Sequence, residues 1–266
     1  MSVSVGLGSW ADQEYVGILY PKGVAAPGRL AAYARVFNRV EVNSSYYSTP
    51  RREVVAGWAK QTPPEFTFDI KLHRAFSQSP EKTARDGDLV RYLLEGVKPL
   101  VRAKKLGVFL LVAAPSFRPE RNRLEQLDPL VEKLQPHLLA VELRHHDWVS
   151  GKAQRSTLDF FRERGLVWVN VDMPRIEGAT LMPSRDEVTN PLLAYLRLHG
   201  RNKAWLSAKS AADRHAYDYP PREVRELATR IRKLEAKAAH VHAVANNHAR
   251  SFAPKLALAL QRLLVK

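Results

Sequence analysis

The chain has 266 residues, 45% of them apolar, which suffices for one large core or two small ones. Cysteine is absent, so disulfides, thiolate metal sites and cysteine nucleophiles are excluded together. The 42 Lys and Arg outnumber 27 Asp and Glu to give a formal net charge of +15, a field that draws phosphate-rich partners without bearing on the fold. No apolar run is long enough to cross a bilayer. A strand pattern begins at Val3 with no basic-then-apolar leader ahead of it, so a cytoplasmic protein with no membrane partner is expected.

In chain order the first strand is expected at residues 3–7, followed by Gly8-Ser9-Trp10 and an irregular stretch. A helix over 27–37 carries Leu30, Ala34 and Phe37 on one stripe, and a strand follows at 40–43. Thr49-Pro50 reads as the cap and first-turn proline of a helix that buries Val54, Val55 and Trp58. A strand at 66–71 leads to a long helix over 88–105, which Gly96 and Pro99 should kink or split. Then come a strand at 108–113, a helix at 124–134, a strand at 139–144, a helix at 157–164 and a strand at 167–172.

Residues 173–190 show no helical pattern, and their prolines indicate a loop. A strand at 195–199 precedes a loop over 203–221 in which Trp205, Tyr217 and Tyr219 stand among Lys209, Arg214 and His215. Such interleaving can stack bases along a backbone. The reading preferred here is a packed loop capping one end of the fold, with both tyrosines buried. A helix at 221–238, a strand at 241–246 and a helix at 252–264 complete the chain.

Strand-helix alternation repeated eight times, with no repeat, linker or low-complexity tract, predicts one α/β domain over 1–266, a single (β/α)8 TIM barrel. A doubly wound sheet is the alternative. Gly6, Gly8, Ser9 and Trp10 make a poor phosphate loop, and no helix follows them, which argues against a dinucleotide fold.

Several strands alternate apolar residues with polar ones: Glu41 and Asn43, Asp69 and Lys71, Glu142 and Arg144, Asn170 and Asp172, Arg197 and His199, and Asn246. Alternation gives each strand two faces. In a barrel the apolar face packs outward on the helices, so these polar groups are expected to line the interior, with their last members at the carboxyl-end mouth. Buried charges must be paired. Glu41, Asp69 and Arg197 are therefore expected to be structural ion-pair members. Lys71, Glu142, Arg144, Asp172 and His199, at strand ends, are expected to face a ligand.

These residues also carry a resemblance. Gly8-Ser9-Trp10, Tyr20-Pro21, the run from Val40 to Tyr47, Phe66 through Lys71 to Arg74, Val141-Glu142-Leu143-Arg144-His145 with Trp148, Asp172-Met173-Pro174, the run from Arg197 to Arg201, Tyr217-Asp218-Tyr219 and Asn246-Asn247 occur in an order that resembles the YecE-like domain-of-unknown-function family, number seventy-two in its series. The resemblance implies a TIM barrel and no particular reaction. Where that family often has a Thr-His pair, this chain has Ser77-Gln78, so any task of that histidine is missing here.

The expected function is that of an enzyme acting on a phosphate-bearing substrate, nucleic acid included, at the barrel mouth. It is expected to be a hydrolase or lyase using acid-base chemistry. Glu142 or Asp172 would be the general acid or base, His199 would assist, and Lys71 is a candidate amine nucleophile or electrostatic stabiliser. Arg144 and Arg201 would hold anionic charge. Asn43, Tyr46, Trp10, Trp148 and Asn246 would line the mouth. Arg201, Lys203 and Arg250, with His248 between the last strand and helix, mark the quadrant where barrels favour phosphate. The sequence requires no cofactor, and a divalent metal is disfavoured because no dense His/Asp/Glu motif occurs. The competing reading is a non-catalytic barrel that binds nucleic acid or a phosphometabolite with the same cationic mouth.

Overall fold

A computed structural model describes residues 2–247 and 249–264. Eight parallel strands hydrogen-bond in sequence order and close on themselves: β1 Val3–Leu7, β2 Arg39–Val42, β3 Thr67–Lys71, β4 Leu106–Val112, β5 Leu139–Glu142, β6 Val167–Asp172, β7 Leu193–Leu198 and β8 His240–Ala245. The fold is therefore the (β/α)8 barrel that the alternation predicts. Among the described residues, no helix is long and apolar enough to cross a membrane.

The helices around the barrel and over its mouth are α1 Arg29–Tyr33, α2 Arg52–Gln61, α3 Arg74–Gln78, α4 Pro80–Asp86, α5 Asp88–Arg102, α6 Asp128–Leu134, α7 Ala153–Glu163, α8 Ala211–Arg214, α9 Pro221–Glu235 and α10 Phe252–Leu264. Between β6 and β7 there is no helix among the described residues, as the prolines of that stretch indicate. α1 is shorter than its stripe suggests, because the chain turns after Tyr33 while Phe37 still reaches the core. The short α3 and α4 are absent from the sequence reading. α2 buries Val55 but leaves Val54 49% exposed, since adjacent helical positions point about 100° apart and only one can face α5.

α5 runs as one helix through both of its expected breaking points. Gly96 is explained by packing. A Cβ there would stand 2.5 Å from the Pro50 carbonyl oxygen, so glycine lets the segment before α2 lie directly on α5. Gly96→Ala is expected to cost about 1–3 kcal/mol, because backbone rather than a flexible side chain must yield. Thermal unfolding would read this as a midpoint several degrees lower; an unchanged midpoint would show that the contact is soft.

Register fixes which side chains enter the barrel, since paired residues on neighbouring strands share a face. Arg39 pairs with Thr67 and Glu41 with Asp69; Val112 pairs with Glu142; Tyr195 pairs with His242 and Arg197 with Val244. All of these point inward. Glycine makes room for the largest of them: a Cβ on Gly6 would lie 2.6 Å from the Arg39 side chain.

Candidate active site at the barrel mouth

The barrel interior is an ion-paired stack. At its amino end Arg39 pairs with Asp69, and its other guanidinium nitrogen reaches Thr67 and His242 Nε2. Burial would raise the Asp69 pKa, but Arg39 and His242 hold it below the usual value. Above them the Tyr195 hydroxyl stands 2.9 Å from Glu41 and 3.0 Å from Asp69, one proton serving two carboxylates. Arg197 then grips Glu41 through Nε at 2.9 Å and Nη2 at 2.6 Å, and donates to Glu142 at 2.5 Å through Nη1. Glu41, Asp69 and Arg197 are thus structural ion-pair members.

The stack continues upward to the mouth. His199 Nε2 lies 3.2 Å from Glu142 Oε2, and its Nδ1 lies 3.1 Å from Asn246 Nδ2. An amide donor on Nδ1 leaves the imidazole proton on Nε2, directed at Glu142. Burial lowers the His199 pKa despite Glu142, so the ring is neutral. Burial alone would raise the Glu142 pKa, yet Arg197, His199 and Arg144 hold it well below the carboxylate range. Glu142 is accordingly ionised at neutral pH. Asn43 completes the rim, bonding the Gly8 carbonyl at 3.0 Å and the Asn246 amide oxygen at 3.3 Å.

Two cations at this level have no such saturation. Arg144 Nε stands 3.6 Å from Glu142 Oε1, too far for a hydrogen bond. Among the described residues, no carboxylate meets Lys71 Nζ at ion-pair distance; its ammonium lies 4.5 Å from the Tyr46 ring centroid instead. Burial, then the charge of Arg197, lowers the Lys71 pKa to about 8. Lys71, Asn43, Asn246, Trp10 and His215 help to line a cavity of about 380 Å³. Arg214, at the end of α8, adds its charge to the field on Arg144.

Four expected members lie elsewhere. Register places Asn170 beside Leu196 and Asp172 beside Leu198, so both point out of the barrel, and Val169 and Val171 point in. Asn170 instead fixes the loop after β6, exchanging hydrogen bonds with the backbone of Glu187. Asp172 accepts from Arg201, Arg230 and Tyr219 beneath α9. Arg201 is spent on Asp172, Glu223 and Glu226, and its charge faces a separate cavity of about 560 Å³ outside the barrel. Trp148 is also not a lining residue; it is buried, stacked on Phe117 and donates to the Phe117 carbonyl at 2.9 Å. In the 203–221 loop Trp205 and Tyr219 are buried and Tyr217 half-buried.

The sequence of the protein family described as "Protein of unknown function DUF72" matches residues 4–266. The chain belongs to the DUF72 family. It is 24% identical over 255 residues to the UPF0759 protein YunF of Bacillus subtilis, covering 92% of this chain and 89% of that one. It is 29% identical over 179 residues to YecE of Escherichia coli K12, covering 66% of this chain and 61% of that one. Two solved DUF72 proteins superpose along nearly their whole length, each at 28% identity. The one from Thermotoga maritima has a TM-score of 0.88 with 99% of both chains covered; the one from Enterococcus faecalis has 0.86, with 98% of this chain and 95% of that one covered. These DUF72 likenesses give the family and the barrel and name no substrate.

In this DUF72 chain Ser77 is buried inside α3, and Gln78 is exposed at its end. Three ligand-type residues, His145, His146 and Asp147, have atoms within 4.8 Å of one another just past β5. Nδ1 of His145 already accepts the Asp147 N–H at 3.4 Å, a local turn rather than a prepared cation cage. His248 lies outside the described residues. The sequence reading missed Arg39, Tyr195 and His242 in the stack, and it named Arg214 and His215 only as members of the 203–221 loop, not as neighbours of the site. The first three continue the same period-two spacing: Arg39-Glu41-Asn43, Tyr195-Arg197-His199 and His242-Val244-Asn246.

Proposed function

We propose that the chain is an enzyme that binds an anionic, phosphate-bearing small molecule at the barrel mouth and acts on it by base chemistry at Glu142. The observation that carries the reading is the contrast between saturated and unsaturated cations. Arg39 and Arg197 have their charges matched by hydrogen-bonded carboxylates, whereas Lys71, which lines the cavity, and Arg144, whose charge reaches Lys71, do not. Desolvated cations whose charge no hydrogen-bonded carboxylate satisfies favour an incoming anion. A cavity of about 380 Å³ suits a small molecule, and Trp10 and Tyr47 give it apolar walls.

Glu142 brings a fixed negative charge and one oxygen, Oε1, that is buried without a hydrogen bond. His199, oriented by Asn246, keeps a proton on the other oxygen's side. That pair can take a proton from a bound substrate and return it.

Titration with inorganic phosphate tests the anion site. Arg144→Gln is expected to weaken phosphate binding about tenfold or more, in line with loss of a charge-assisted contact of about 1.5–3 kcal/mol, while thermal stability changes little. Equal affinity in wild type and variant overturns the reading.

A further inference from the structure

We propose that Lys71 is an amine nucleophile that captures the carbonyl carbon of an anionic aldehyde or ketone as an imine, with Arg144 holding the anionic group. The proposal rests on the anion-binding reading above and adds the electrophile to it. Lys71 ends β3 and faces the mouth cavity. Its surroundings differ from those of Lys105, another largely buried lysine, whose Nζ is committed to the Ala59 and Thr62 carbonyls and the Thr62 hydroxyl. Lys71 Nζ has no hydrogen-bond acceptor among the described residues, and its neighbour is the face of Tyr46. An aromatic face attracts a cation weakly but accepts no proton from it, so the amine can be released for attack.

Neighbouring charge favours the same outcome. Arg197 and Arg144 oppose a positive charge on Lys71, against the attraction of Glu41 and Glu142, and burial acts with the arginines. With a pKa of about 8, roughly a tenth of Lys71 is neutral at pH 7, about two orders of magnitude more than for an ordinary exposed lysine. Glu142 supplies the other requirement, an ionised carboxylate with one oxygen that accepts no hydrogen bond.

The step balances without an external oxidant or reductant. The neutral amine attacks the carbonyl carbon, the C–N bond forms, and the carbonyl π pair moves to oxygen. The proton on nitrogen passes through Glu142 to that oxygen. The C–O bond then breaks with loss of water, and one further proton from solvent leaves the product as a protonated imine. The resulting cation sits beside Glu142 and withdraws electrons from the adjacent carbon.

Pyridoxal 5′-phosphate, which carries both an aldehyde and a phosphate, is the probe, with pyridoxal as its phosphate-free control. The intact protein is incubated with limiting probe at pH 7, reduced with borohydride and mapped by peptide mass spectrometry. The expected result is a label concentrated on Lys71, at least tenfold less of it with pyridoxal, and protection by inorganic phosphate. The initial labelling rate should rise as pH passes through about 8. Lys71→Arg should lose this label.

Labels confined to other lysines, with phosphate still binding in an Arg144-dependent way, overturn the imine and leave the anion site standing. Equal labelling of Lys71 by both probes, without protection by phosphate, overturns the anion site. Because the mapping is done on the wild-type chain, a poorly folded variant would not obscure either result.

Discussion

Arg197→Met is expected to destabilise the protein by about 3–5 kcal/mol, the cost of leaving buried charges without their partner. Arg197 is 2% exposed, and the two carboxylates it bridges, Glu41 and Glu142, are fully buried. The magnitude comes from stranding these acids rather than from the intrinsic worth of a buried ion pair, which desolvation largely offsets. The triple variant that also carries Glu41→Gln and Glu142→Gln should therefore recover part of the loss. Denaturant unfolding at pH 7 measures both. A single-variant loss below about 1 kcal/mol would mean that water reaches the stack and solvates the stranded carboxylates.

Stability should also fall on mild acidification, in two stages. His242 has its pKa lowered from 6.5 to about 4, first by burial and then by Arg39, against the pull of Asp69. Tyr195 also packs on its ring. Arg39 donating to Nε2 requires that nitrogen to be unprotonated, which agrees with a neutral ring. Between pH 6.5 and 4 the unfolded histidine binds a proton that the folded one refuses, so stability drops as pH falls through that window. A gap of this size corresponds to about 3 kcal/mol. His199, also lowered by burial, acts in the same direction below 6.5.

The carboxylates form the second stage. Asp69 and Glu142 have folded pKa values below their ordinary 3.8 and 4.5, so their contribution is present above those values and is lost as pH falls toward the folded ones. Unfolding free energies measured from pH 7 down to 5 should decline above the window of Asp69 and Glu142, and His242→Phe should flatten that upper stage. A flat profile from pH 7 to 5 in the wild type would contradict the neutral-histidine assignment.

The barrel was legible because alternating charge with period two survives in a strand whatever its surroundings. That spacing also carried most of the interior, from Glu41 to Arg197. It failed on β6, where Val167, Val169 and Val171 alternate with Trp168, Asn170 and Asp172. Either face of such a strand can serve as the inner one, and only the pairing of Val169 with Tyr195 and Val171 with Arg197 decides. The outer face can be polar there because loop residues and α9 meet it with Glu187, Arg201 and Arg230. A sequence pattern has no access to that third partner. Trp148 likewise has the composition of a mouth residue but finds Phe117 first. α3 and α4, with five and seven residues, are too short to display a helical period.

The incomplete pairing of Lys71 and Arg144 has a consequence for ionic strength. Many of the cations behind the +15 charge lie on outer helices, where pairs such as Arg91–Asp88 and Lys98–Glu95 are well exposed. Mobile ions screen such charges beyond a Debye length of about 8 Å at physiological salt, so whatever long-range attraction they exert on a polyanion fades as salt rises. Lys71 and Arg144 are held in the barrel, where counter-ions approach poorly and screening is weaker. The chain thus carries two electrostatic personalities: an outer one that physiological salt largely silences, and an inner one that the same salt leaves audible.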